Sequence, residues 1–177
     1  SLYTTYVKGL GQGETTSFTQ FLAPSTRVAG LVVDVTDKLT HRALLGHRGL
    51  YAELKIWLEK GFLFQLLEEL LATGYALYIT SDHGNKACRG IGRLTEGVLA
   101  ETQGERVRLY RDRCLRDLAA ERYPSITWPG DGLPPEVYAL LARSGEAFVR
   151  EGESVISHGG ISVEEVLVPF VRVTKLE

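Results

Sequence analysis

Methionine is absent from the 177 residues, and an initiator is therefore absent too. The chain on this ground reads as a segment of a longer protein. Cysteine is nearly absent as well. Cys88 and Cys114 are the only two, too few for a disulfide framework, so a reducing cytoplasm is the expected compartment. Charge of either sign is not in excess. Twenty basic and 22 acidic residues leave a net charge of −2, which gives no global attraction to nucleic acid and leaves room only for a local basic patch. The longest apolar runs are of strand length, which rules out a membrane-spanning helix. Ser1 to Gly11 has no apolar core followed by a small-residue cleavage site, so no signal peptide opens the chain. What remains is 44% apolar and 24% charged residues, the balance of one folded domain or one large lobe.

Residues 1–26 are rich in Gly, Ser and Thr and read as a loop or connector. Residues 27–177 hold the periodic segments. Val28 to Asp34 is a short apolar run ending in an acid, as expected for a buried parallel strand. Leu54, Trp57, Leu58, Phe62, Leu66, Leu67, Leu70 and Leu71 recur at helical spacing, interrupted by Gly61 and closed by Gly74. Tyr75 to Thr80 then reads as a second buried strand. Strand, long helix and strand make a βαβ unit, so the expected fold is α/β with a largely parallel sheet flanked by helices.

Further along, Ser81 to Gly97 reads as a glycine-bearing loop. Arg106 to Tyr110 reads as a strand and Arg111 to Glu121 as a helix. Pro124 to Pro135 is turn-rich, and Pro135 to Leu141 reads as a short helix. Ala147–Val149 and Ser154–Ile156 read as short strands. Ser162 and Glu165 form a capping box that opens a short helix, and Val168 to Thr174 closes the chain as a strand.

Three segments place metal-ligand side chains just beyond predicted strands, where α/β sheets build their sites. The first carries Asp34, then Asp37 and His41, whose i, i+4 spacing puts them on one face if the turn is helical. The second is Ser81-Asp82-His83-Gly84-Asn85, and the third is Ser157-His158-Gly159-Gly160. Carboxylate and imidazole together suit zinc or manganese better than calcium. Each motif alone has an ordinary reading: Asp82 as a turn cap, His158 as a buried histidine bonded to backbone. Their joint placement is more telling, because three of the four histidines fall at these points. His47, the fourth, reads as surface or structural. Arg106, Arg108, Arg111, Arg113 and Arg116 lie in eleven residues. They read first as a solvated edge paired with Glu105, Asp112, Asp117 and Glu121, and second as a phosphate-contacting patch.

Thr80 to Asn85, Gly90-Ile-Gly-Arg93, Gly104 to Tyr110 and above all His158-Gly-Gly-Ile-Ser-Val-Glu-Glu-Val-Leu-Val-Pro-Phe170 resemble the PglZ domain. That domain occurs in bacteriophage exclusion (BREX) defence systems and belongs to the alkaline phosphatase superfamily. The resemblance runs from about Val28 to Val173. It implies an alkaline phosphatase-like fold and two divalent metal ions, zinc first and manganese second. Asp37, His41 and His158 match the ligands of one metal, and Asp82 and His83 match an Asp-His pair for the other. The spacing from Asp34 to His41 does not fit the pattern.

In that superfamily the nucleophile and a further metal-binding Asp come earlier in the domain, and no strand ending in Asp precedes Val28. The chain is therefore expected to be the C-terminal part of an incomplete domain, inactive by itself. The function implied is a metal-dependent phosphohydrolase, phosphodiesterase or nuclease-like, in a cytoplasmic anti-phage system. Its partners would be other proteins of that system and a phosphodiester substrate or nucleic acid. The alternative is a scaffold or interaction module of a multi-protein defence complex. A third reading keeps the superfamily and changes the reaction to that of a phosphomutase or sulfatase.

Overall fold

A computed structural model describes residues 3–11, 22–42, 46–94 and 100–175; the side chains of residues 41–42, 46–47 and 100–103 lie outside the described set. The chain divides into two compact units, residues 1–80 with 169–177, and residues 81–168.

The first unit contains strands β1 (Thr4–Val7) and β2 (Val28–Leu31), helices α1 (Val35–Arg42), α2 (Gly46–Glu59) and α3 (Phe62–Ala72), and strand β3 (Leu77–Thr80). Strand β11 (Phe170–Val173) returns to it from the end of the chain. The long apolar periodicity is split where expected. Gly61 has φ +82°, a left-handed conformation open to glycine and costly for other residues. Helix α3 ends at Gly74 (φ +89°), where the Gly74 and Tyr75 N–H groups return to the carbonyls of Leu71 and Leu70, at 3.1 Å each. Leu66 and Leu70, one turn apart, pack with Leu10 and Leu77 as the buried core of this unit. Trp57 anchors α2 by donating its indole N–H to the Gly11 carbonyl at 3.1 Å.

The βαβ expectation holds in its elements and fails in its pairing. β2 pairs in parallel with β1, in a segment expected to be connector, and β3 pairs antiparallel with β11. The two strands of the expected unit therefore belong to different two-stranded sheets. Apolar patterning tells which residues face a core but not which strand lies alongside, and here the chain's two end segments take the partner positions.

The second unit holds β4 (Lys86–Gly90), β5 (Ala100–Gln103), β6 (Val107–Tyr110), α4 (Arg113–Arg122), β7 (Ser125–Thr127), β8 (Tyr138–Ala142), β9 (Glu146–Ala147), β10 (Ser154–Ser157) and α5 (Val163–Val166). Strands β5-β6-β8-β7 form an antiparallel sheet, and β10-β4-β9 a smaller mixed one. Helix α4 starts at Asp112, whose carboxylate accepts the Cys114 N–H at 2.7 Å. Tyr110, Ala119, Leu140, Ala142 and Phe148 form its main core, and Cys88, Ala147 and Val149 a second.

A largely parallel sheet is thus not what the chain builds. Among the described residues only β1 with β2 and β4 with β9 pair in parallel. Two further corrections lie in this unit. The segment expected as a loop from Ser81 contains β4. The short helix expected at Pro135–Leu141 is instead β8, which runs between β6 and β7 with Ala139 to Ala142 all buried. Its Ala- and Leu-rich sequence favours helix locally, and two flanking strands override that preference.

Candidate metal centre

The antiparallel register of β4 and β10 decides where two of the three histidine segments lie. Ser157 pairs with Lys86, so the chain leaves β10 into His158 at the same end where it enters β4 from His83 to Asn85. The two imidazoles stack there, with centroids 3.7 Å apart and planes inclined by 13°. Their ring nitrogens lie within 4.8 Å of each other. His83 Nδ1 donates to the Gly84 carbonyl at 3.0 Å, which leaves Nε2 as the ring's lone-pair atom. A ring that spends one nitrogen on a backbone carbonyl and presents the other is the arrangement metal-binding histidines adopt. Asp82, largely exposed, places Oδ1 3.7 Å from that Nε2. Two half-buried imidazoles beside a carboxylate form a donor set that fits a divalent metal ion.

Asp37 and His41 lie on α1 in the first unit, so the turn between them is helical and their spacing places them on one face. The His41 side chain lies outside the described residues, as does that of His47. Asp34, the rival of Asp37, is engaged by Lys38 at 2.8 Å.

The turn that carries His158 is fastened by a residue whose tertiary role the sequence did not reveal. Glu165 is buried, and its carboxylate takes both prongs of the Arg106 guanidinium, Nε at 2.8 Å and Nη2 at 2.7 Å. It also accepts the N–H groups of Gly160 (2.8 Å) and Ser162 (3.2 Å) and the Ser162 hydroxyl (2.7 Å). Arg106 spends Nη1 on the carbonyls of Arg143 (2.7 Å) and Glu146. Burial pushes the Glu165 carboxyl up, but the hydrogen bonds from Arg106, Ser162 and Gly160, with the Arg106 charge, outweigh it and hold the group at about 2. Burial likewise opposes the charge on Arg106, yet its bond to Glu165 leaves that group above its ordinary value.

The second histidine turn hangs on the same residue. The Gly84 N–H donates to the Glu165 main-chain carbonyl at 2.8 Å. Gly84 tolerates this approach only because it has no side chain: a Cβ there would lie 2.0 Å from the Glu164 carbonyl oxygen. A Cβ on Gly160 would lie 2.3 Å from Arg106 Nη2. Lys86 and Glu164 add an ion pair between the start of β4 and α5.

The arginine run is not one patch. Arg106, Arg108 and Arg116 are buried, against the expectation of a solvated edge. Arg106 pairs with Glu165, Arg108 Nη1 donates to the Gly104 carbonyl at 2.6 Å, and Arg116 Nε donates to Asp117 at 2.6 Å. The Arg113–Asp117 pair, 3.6 Å apart and mostly exposed, matches the expected surface pairing. A charge run read locally does not reveal that alternate positions of a strand point inward.

None of the helices among the described residues is long and apolar enough to cross a membrane. Comparison with curated proteins gives no match. The family model for the BREX system PglZ alkaline phosphatase-like domain matches residues 7–173, a span that takes in both histidine turns, the Arg106–Glu165 pair and the closing strand. The chain belongs to the PglZ family, the alkaline phosphatase-like domains of the multi-protein BREX defence systems.

Proposed function

We propose that this domain is a metal-dependent phosphohydrolase of phosphodiesterase or nuclease-like type. In this reading His83 and Asp82 bind one divalent ion and His158 a second, zinc first and manganese second. Asp37 and His41 are the remaining ligands that the family's pattern assigns. The observation that carries the reading is the stacked His83–His158 pair. The rings are stacked with centroids 3.7 Å apart and their ring nitrogens lie within 4.8 Å of each other, close enough to ligate neighbouring ions of a two-metal site. Such a metal pair supplies Lewis acidity to the attacking and leaving oxygens of an in-line phosphoryl displacement. The chain's own part is to hold both rings in place, with Nδ1 of His83 committed to the Gly84 carbonyl.

Calorimetric titration of zinc and manganese into the purified chain, with metal content measured by mass spectrometry, tests this. His83→Ala and His158→Ala are each expected to weaken zinc binding at least about tenfold, the scale of damage to a metal shell. Hydrolysis of a chromogenic phosphodiester by the longest available form of the protein should fall with the same substitutions. Zinc affinity indifferent to both substitutions would sink the proposal.

A further inference from the structure

We infer that Arg106 and Glu165 are a positioning pair that sets the separation of the His83 and His158 rings, and that metal affinity therefore depends on two residues that touch no metal. The inference rests on the metal-site reading above for its consequence, but not for its geometry. Glu165 acts on both turns at once. Its carboxylate fixes Gly160 and Ser162, just past His158, and its main-chain carbonyl fixes Gly84, just past His83. Arg106 in turn fixes Glu165 in a bidentate fork and is itself held by two main-chain carbonyls, that of Arg143 just past β8 and that of Glu146 at the start of β9.

Glycine at 84 and 160 lets these groups close to contact distance. The helix start at Ser162 does not require this arrangement. A capping box needs only the exchange between Ser162 and Glu165, whereas here the same carboxylate also receives a buried guanidinium from the residue just before β6, 59 residues away in sequence. Rigid outer contacts of this kind are what hold ligand side chains in register before a metal arrives.

The test uses the whole chain with Glu165→Gln, the milder Arg106→Lys, and Leu140→Ala as a core control in the same unit. Arg106→Lys keeps the charge and removes the planar fork, so it serves if the glutamine variant fails to fold. Two readouts are taken at a temperature where circular dichroism shows each variant folded. The first is the nuclear Overhauser contact between the His83 and His158 ring protons. It is expected to be strong in the wild type and in Leu140→Ala, and weakened or lost in the Glu165 and Arg106 variants. The second is zinc affinity by calorimetry, expected to fall by about 10- to 100-fold in those two variants and to stay unchanged in Leu140→Ala.

A ring contact of wild-type strength in folded Glu165→Gln or Arg106→Lys would overturn the inference. So would loss of the contact in Leu140→Ala, since general loosening would then explain everything. If the wild type binds no zinc while the ring contact still depends on Glu165, the metal reading fails and the positioning pair stands.

Discussion

The imidazoles of His83 and His158, far apart in the chain, stack with centroids 3.7 Å apart because β4 and β10 pair Lys86 with Ser157. Two parallel rings lose configurational freedom whether or not they serve a ligand. A ligand that binds both recovers that cost as affinity, because the site is ordered in advance.

Metal should therefore stabilise the folded chain. Anything that binds only the folded form adds RT ln(1 + [L]/Kd), about 2.7 kcal/mol at a hundredfold excess over Kd. Zinc titrated into the chain should raise the melting temperature by several degrees, and a chelator should reverse the shift. His158→Ala should show a clearly smaller zinc-dependent shift, since it removes one ligand and leaves the His83 and Asp82 donors in place. A zinc-dependent shift of wild-type size in that variant would place the metal elsewhere.

The two histidine turns should be far less tolerant of added bulk than an ordinary glycine break. In Gly84→Ala the new Cβ meets the Glu164 main-chain oxygen at 2.0 Å, which no side-chain movement relieves. We expect a loss of about 3 kcal/mol or more, the upper end for forced overpacking. Gly61→Ala is the comparison. Its backbone is left-handed at φ +82°, and nothing lies within 4 Å of the new carbon, so only the conformational cost of about 1–2 kcal/mol applies. Urea unfolding of both variants decides: equal losses would mean that the Gly84 turn can move away from α5.

Helix α4 offers a more local test. Asp112 caps it through the Cys114 N–H at 2.7 Å. Asp112→Ala should cost about 1 kcal/mol, and Asp112→Asn, which keeps an acceptor, should recover most of it. A null effect for alanine in urea unfolding would show that solvent satisfies the helix start equally well.

These contrasts indicate what could be read in advance. The helix break at Gly61, the stop at Gly74 and the capping box at Ser162 and Glu165 are local events, each written in a few neighbouring residues. The strand nature of Val28–Leu31, Leu77–Thr80, Val107–Tyr110 and Phe170–Val173 was legible for the same reason. Strand partners were not: which strand lies beside β2 or β3 depends on segments more than twenty residues away. Tyr138–Ala142 shows local preference and tertiary pairing in open conflict, and pairing wins. At the site, the histidine turns could be picked out from residue type and position. Glu165 could be seen only as a cap, since its bond to Arg106 spans 59 residues. The one clue was an arginine at the head of an apolar strand, and it was read as surface charge.

Acid should expose the Glu165 contribution directly. The group titrates at about 2 in the folded chain against an ordinary 4.5, so the folded form prefers the carboxylate. The stability this preference supplies is fully present above pH 4.5. It is lost as the pH falls from 4.5 towards 2, where protonation weakens the acceptor for Arg106, Gly160 and Ser162. One such group changes stability by at most about 1.4 kcal/mol per pH unit. Other carboxylates titrate in the same window, so the informative quantity is the difference between wild type and Glu165→Gln, measured by urea unfolding from pH 7 to pH 2.5. At neutral pH the wild type should be the more stable by about 3–5 kcal/mol, the usual cost of orphaning one member of a buried ion pair. That gap should hold to about pH 5 and narrow steadily below it. A gap that stayed constant down to pH 2.5 would mean that Glu165 gains nothing from its charge, and that shape and neutral hydrogen bonding alone hold the two histidine turns.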